Sequence, residues 1–174
     1  MQVEKAIILW AGCGRRISND HGGIHKAMIP LNGKSLMEYL LDNLKRAGIR
    51  EVVAVLGYRA DEMLKEAEKI WGSNGLSTVI NDEFDHTNNL CSLMKTRDMM
   101  DGSDFIVLNG DMVFDCGIVK EICTLEGNII AVDNNDHGYQ LDSPRVIVRG
   151  GRIRDIGRHL TIDKADGYAI SCRP

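Results

Sequence analysis

The sequence predicts an α/β fold with a mostly parallel sheet covered by helices on both faces. Short apolar runs of strand length alternate with amphipathic stretches of helical period through most of the chain. The first apolar run, residues 6–9, empties almost at once into Gly12-Cys13-Gly14, a turn that can bring backbone N–H groups close to an anion. A second buried-type run, residues 105–108, is followed at once by Asn109-Gly110-Asp111, and ligands collect at the carboxyl ends of strands in open α/β sheets.

Taken in order, residues 35–47 read as a helix: Leu36, Tyr39, Leu40, Leu44 and Ala47 share a face, and Gly48 stops it. Ser35 and Glu38 have capping-box spacing at its start. Residues 51–56 form the next strand. Residues 60–71 form a helix that turns Met63, Leu64, Ala67, Ile70 and Trp71 to the core. A short strand at 77–80, a helix at 90–100 and the strand at 105–108 follow, then a helix at 116–125 and a strand at 128–132. Together these give a Rossmann-like three-layer sandwich. The pattern then changes. Residues 133–143 are polar and loop-like, and 145–149 and 152–156 are short strands joined by Gly150-Gly151, a hairpin turn. Residues 168–171 start another strand.

The chain of 174 residues is long enough for a real core, and a single domain over 1–174 is expected, with the 145–156 hairpin as an insertion. The net charge of −4 and the lack of a basic stripe argue against a nucleic-acid binder. No apolar run is long enough to span a membrane, and the first strand begins too early to leave room for a signal peptide. Five scattered cysteines with no C-x-x-C read as reduced thiols, so a cytoplasmic location is expected.

The chemistry concentrates at three places. Arg15, Arg16 and Lys26 surround the glycine turn, which suits a polyphosphate. A dinucleotide fingerprint fails because its third glycine would fall at Ile17, and a Walker A reading of Gly33-Lys34-Ser35 fails because its leading glycine would fall at Met28. Asp111 can bind Mg²⁺, which commonly takes one or two carboxylates plus phosphate oxygens and water; the plainer alternative is a turn aspartate. Asp115 reads as a helix N-cap. Asn88, Asn89 and Ser92 offer paired donors and acceptors for a base edge or ribose, or else simple capping. Trp10, Tyr58 and Phe84 read as packing residues, and the five histidines point to no metal pair.

Leu9, Ala11, Gly12, Gly14, Arg16 and Lys26 match a pattern that resembles the sugar-nucleotidyltransferase-like family, Leu-Ala-Ala-Gly-x-Gly-[Ser/Thr]-Arg followed by Pro-Lys. Trp10, Arg15 and His25 depart from it. Residues 88–93 resemble the Asn-Asn-x-x-Ser-Leu stretch of phosphocholine cytidylyltransferases, and 145–157 resembles a segment of the inositol-phosphate branch. The resemblance implies a Mg²⁺-dependent nucleotidyltransferase that joins a nucleoside triphosphate, CTP favoured, to a small phosphorylated acceptor. It implies that the 12–14 backbone, Arg16 and Lys26 hold the triphosphate, that Asp111 holds Mg²⁺, and that Leu9, Ala11, Asn88, Asn89 and Ser92 contact base and ribose. The 145–156 hairpin is then an insertion on the acceptor side. A sugar-1-phosphate nucleotidyltransferase using UTP or another triphosphate and a non-catalytic nucleotide-binding or regulatory module are the alternatives. The resemblance runs from Ala6 to about Ile170, while family members usually continue. The chain is therefore expected to be C-terminally truncated relative to them, without their second metal-binding aspartate.

Overall fold

The structure, a computed structural model, describes residues 3–14, 23–100, 102–134 and 144–169. Arg15, Arg16, Ile17, His21, His137 and Cys172 lie outside the described residues, as do most of the 133–143 loop and the end of the 168–171 strand. The chain divides into two compact units, 1–125 and 126–174.

The first unit is built on four parallel strands: β1 (Lys5–Trp10), β4 (Glu51–Leu56), β5 (Leu76–Ile80) and β6 (Phe105–Asn109), in the order β5-β4-β1-β6. Strand alternation sends successive side chains to opposite faces, and β1 feeds two cores. Ala6, Ile8 and Trp10 pack with the buried faces of α1 (Leu36–Ala47), α2 (Ala60–Trp71) and α4 (Cys116–Ile122). Ile7 and Ala11, with Leu9 packed against them, face Val53, Val55, Leu93 and Met99, the last two from α3 (Asn89–Met94) and the 3₁₀ turn Arg97–Met99. The sheet is therefore the middle of three layers.

Local chemistry sets the ends of these elements. The predicted capping box is present: Glu38 N–H donates to Ser35 Oγ at 3.1 Å, and Ser35 N–H donates to Glu38 Oε2 at 2.7 Å. Gly48 ends α1 at φ 93°, a left-handed conformation that costs glycine no steric strain. Ahead of α1, Asn32 and Gly33 (φ 50° and 86°) turn the short hairpin β2 (Pro30–Leu31) and β3 (Lys34–Ser35).

Three predicted elements differ. The helix expected over 90–100 stops at Met94, where the Thr96 hydroxyl donates back to Leu93 O and competes with the helical ladder. The helix expected over 116–125 stops at Ile122 for the same reason, with Thr124 Oγ1 donating to Glu121 O. The strand expected over 128–132 does not join the parallel sheet. Ile129 and Ile130 are exposed and unpaired, and only Val132–Asp133, here β7, is extended into a ladder. An apolar run reads as a buried strand only if a neighbouring strand is free to receive it, which the sequence does not reveal.

The second unit holds an antiparallel sheet of β7, β8 (Arg145–Arg149), β9 (Arg152–Gly157) and β10 (Gly167–Ala169), in the order β7-β10-β8-β9. The predicted hairpin is β8–β9, turned by Gly150 and Gly151 at positive φ. No described helix is long and apolar enough to cross a membrane.

Candidate active site

The sheet order makes the site. From β1 the chain passes to β4 and β5 on one side, then returns to lay β6 on the other, with Leu9 in register with Asn109. The crevice at such a reversal opens at the carboxyl ends of the strands. The 12–14 turn leaves β1 on one lip, and Gly110-Asp111 leaves β6 on the other.

Lys26 and Asp111 meet there. Lys26 Nζ lies 2.6 Å from Asp111 Oδ2, and the side chains are 27% and 31% exposed. Both charges are thus half in water, within reach of a ligand and neutralised by each other. The stem of Lys26 lies on Gly14: a Cβ at that position would come within 3.0 Å of Lys26 Cδ, and φ is 58°. Gly14 therefore allows both the turn and the close passage of the lysine. Among the described residues, a Cβ at Gly12 would meet nothing within 4 Å.

Asn89 Nδ2 donates to Asn109 Oδ1 at 2.9 Å, which brings the start of α3 to the end of β6. Asn88 is exposed and caps α3, its Oδ1 accepting from Cys91 N–H at 3.1 Å. Ser92 is buried, and its hydroxyl accepts from Asn81 Nδ2 at 3.0 Å. Asn81 also reaches Thr87 Oγ1 and accepts from Glu83 N–H, so Ser92 belongs to a network that shapes the 81–92 loop. Leu9 and Ala11 are on the face of β1 that packs toward α3. Asp115 caps α4, accepting from Gly117 N–H at 2.7 Å. The structure thus groups Gly12, Gly14, Lys26 and Asp111, with Asn89 alongside through Asn109. Cys13, Cys91, Cys116 and Cys123 are free thiols.

Two residues that sequence reading assigned only to packing or left unassigned brace this arrangement. Trp10 is buried, and its Nε1–H donates to Gly110 O at 2.8 Å. The indole fills the space a Cβ at Gly110 would need. His25 is fully buried, and its Nδ1 accepts from Ala27 N–H at 3.1 Å. The ring proton is therefore on Nε2, which donates to Trp10 O at 2.9 Å. Burial holds this imidazole below its ordinary pKa of 6.5; the bond to Trp10 O opposes that shift, and the Lys26 charge adds to it. Tyr58 Oη and Arg59 Nη1 both donate to Gly23 O, anchoring the chain just ahead of His25.

Among the described residues no three His, Cys, Asp or Glu side chains converge on a metal site. A lone carboxylate at a strand end, beside a phosphate-type turn, fits Mg²⁺ only where phosphate oxygens and water complete its shell.

Residues 6–163 match the MobA-like NTP transferase domain. The chain belongs to that family. Among members of the wider group, the choline-phosphate cytidylyltransferase of Streptococcus pneumoniae is 28% identical over 160 residues, 86% of this chain and 66% of that protein. The CTP:phosphoglutamine cytidylyltransferase of Campylobacter jejuni is 31% identical over 137 residues, 75% of this chain and 53% of that protein. This NTP transferase domain thus spans about two thirds or less of the length of these curated relatives. The inositol-1-phosphate CTP transferase of T. maritima shares the fold, with a TM-score of 0.81 at 21% identity over 98% of this chain and 70% of that one. This chain has the α/β nucleotidyltransferase fold: the alternation of strands and helices predicted its mostly parallel sheet, and the family resemblance implied the nucleotidyltransferase type.

Proposed function

We propose that this NTP transferase domain binds a Mg²⁺–nucleoside triphosphate, with CTP preferred, and serves transfer of its nucleotidyl group to a small phosphorylated acceptor such as phosphocholine or a polyol phosphate. An acceptor phosphate oxygen attacks the α-phosphorus. The bond from that phosphorus to the bridging oxygen breaks, and pyrophosphate leaves with the electron pair. The observation that carries this reading is the Lys26–Asp111 pair, 2.6 Å apart, with the stem of Lys26 lying on the 12–14 turn.

The chain's part is positioning and charge. The turn offers its N–H groups and Lys26 its ammonium to the phosphates, with Arg16 as a further phosphate ligand. Asp111 would hold Mg²⁺, which when bound neutralises charge on the phosphate oxygens. Leu9, Ala11, Asn88 and Asn89 would border the base and ribose, with Ser92 shaping the loop behind them. The preference for CTP is supported by the cytidylyltransferase names of the pneumococcal and Campylobacter relatives and by the amide groups at the crevice. A cytoplasmic setting accords with the free thiols.

Pyrophosphate release tests the reading, measured across a Mg²⁺ titration with CTP, UTP, ATP and GTP against choline, polyol and sugar phosphates. Asp111→Asn should lower turnover about a hundredfold or more, the scale of losing a contact made in the transition state. Lys26→Ala should weaken triphosphate binding as well. An Asp111→Asn protein with normal rate and Mg²⁺ dependence would remove the metal assignment. Calorimetry should give CTP the highest affinity, and equal affinities or a purine preference would overturn the base assignment.

A further inference from the structure

Lys26 and Asp111 are 85 residues apart in the chain, and both belong to short irregular segments. A long, half-exposed lysine in such a segment has many rotamers, so something must hold its backbone opposite β6. The hydrogen bonds close a circuit that does this. His25 Nε2–H binds Trp10 O, and Trp10 Nε1–H binds Gly110 O, the carbonyl next to Asp111. Asp111 then pairs with Lys26, which is bonded to His25 through the chain. The Nδ1 of the same imidazole accepts from Ala27 N–H and caps the 3₁₀ turn Lys26–Met28.

We infer that His25 and Trp10 are positioning residues: the buried imidazole and indole fix the two lips of the crevice so that Lys26 and Asp111 face each other. His25 sets the lysine side through the turn it caps, and Trp10 sets the aspartate side through Gly110. Neither side chain reaches solvent, so each acts through its neighbour and not on a ligand. The bulk of Trp10 and the missing side chain of Gly110 are two halves of one fit.

The inference deepens the nucleotidyltransferase reading in its functional arm, but its first test does not depend on that reading. A double-mutant cycle of Lys26→Met and Asp111→Asn, followed by urea unfolding, measures how strongly the pair couples. In the native background the coupling should be roughly two- to fivefold in the unfolding equilibrium constant, the range of a partly exposed ion pair. In a His25→Leu background it should vanish. His25→Gln offers a donor in place of Nε2–H, and His25→Asn offers an acceptor in place of Nδ1, so each should keep part of the coupling. They also serve if His25→Leu fails to fold. Trp10→Phe keeps the ring but loses the bond to Gly110, and should weaken the coupling too. Undiminished coupling in all foldable variants overturns the inference whatever the protein catalyses.

The second arm is pyrophosphate release from CTP and phosphocholine. Loss of folded enzyme alone would lower the apparent kcat at unchanged KM. Displacement of Lys26 should instead raise the KM for CTP several-fold and lower kcat/KM by about tenfold or more, since small misplacements are costly. A KM identical to the parent's in every His25 variant counts against the inference. Coupling that disappears as expected, in a protein that turns over no triphosphate, sinks the reaction and leaves the brace standing.

Discussion

His25 is held as a neutral imidazole, and this has a measurable cost in acid. Its folded pKa is below the ordinary 6.5, so the unfolded chain takes up the proton first as pH falls. The stability linked to this group is fully present above about pH 6.5 and is lost as pH falls through the folded value. Urea midpoints measured from about pH 7.5 down to about 5 should decline in the native protein and decline less in His25→Gln; parallel curves would refute a depressed pKa. Other single residues differ in how openly the sequence announced them. Gly12, Gly14 and Asp111 could be grouped from the sequence because each follows closely on the end of a strand, while Lys26, well past the end of β1, joined them through the family resemblance. The partner of Ser92 was not, because Asn81 lies eleven residues away in a loop of no regular period. Nor was the role of Trp10, whose acceptor is 100 residues distant. Sequence spacing speaks of neighbours along a helix or strand, and these contacts are set by tertiary packing.

At the scale of elements, caps and turns were readable and lengths less so. The Ser35–Glu38 capping box can be tested alone: Ser35→Ala should cost about 1 kcal/mol in urea unfolding, the usual loss for an N-cap, without altering nucleotide affinity. No change in midpoint would mean that the cap contributes nothing to α1. The early ends of α3 and α4 rest on Thr96 and Thr124, whose hydroxyls bind the carbonyl three residues back. Threonine is tolerated inside helices often enough that its position alone decides nothing there. The junction of β6 with Asp111 carries a sharper test. Gly110→Ala places a methyl group against the Trp10 indole and should destabilise by about 1–3 kcal/mol, as overpacking does. Pairing it with a smaller residue at position 10 should recover part of the loss; failure of every smaller residue to do so would contradict the proposed fit.

Across the whole molecule, alternation of strand and helix patterns sufficed for a parallel sheet but not for its order, because each βαβ step can place the new strand on either side. The order β5-β4-β1-β6 puts β1 and β4 inside, with Ile7, Ile8, Ala54 and Val55 almost wholly buried. Their amides should exchange with solvent only through global unfolding, while those of β9, an outer strand of the second sheet, should exchange sooner. Fast exchange in β1 would be incompatible with its central place. That place also bears on how the protein is made. β1 is synthesised well before β6, one of its two partners, which ends only at Asn109. On a ribosome β1 must therefore wait, with one edge unpaired, while about a hundred further residues are added, and long-range pairing of this kind closes slowly. Asp111 emerges later still. A triphosphate can find the complete crevice only after that wait is over, so added nucleotide should slow unfolding of the finished protein while leaving its rate of folding unchanged.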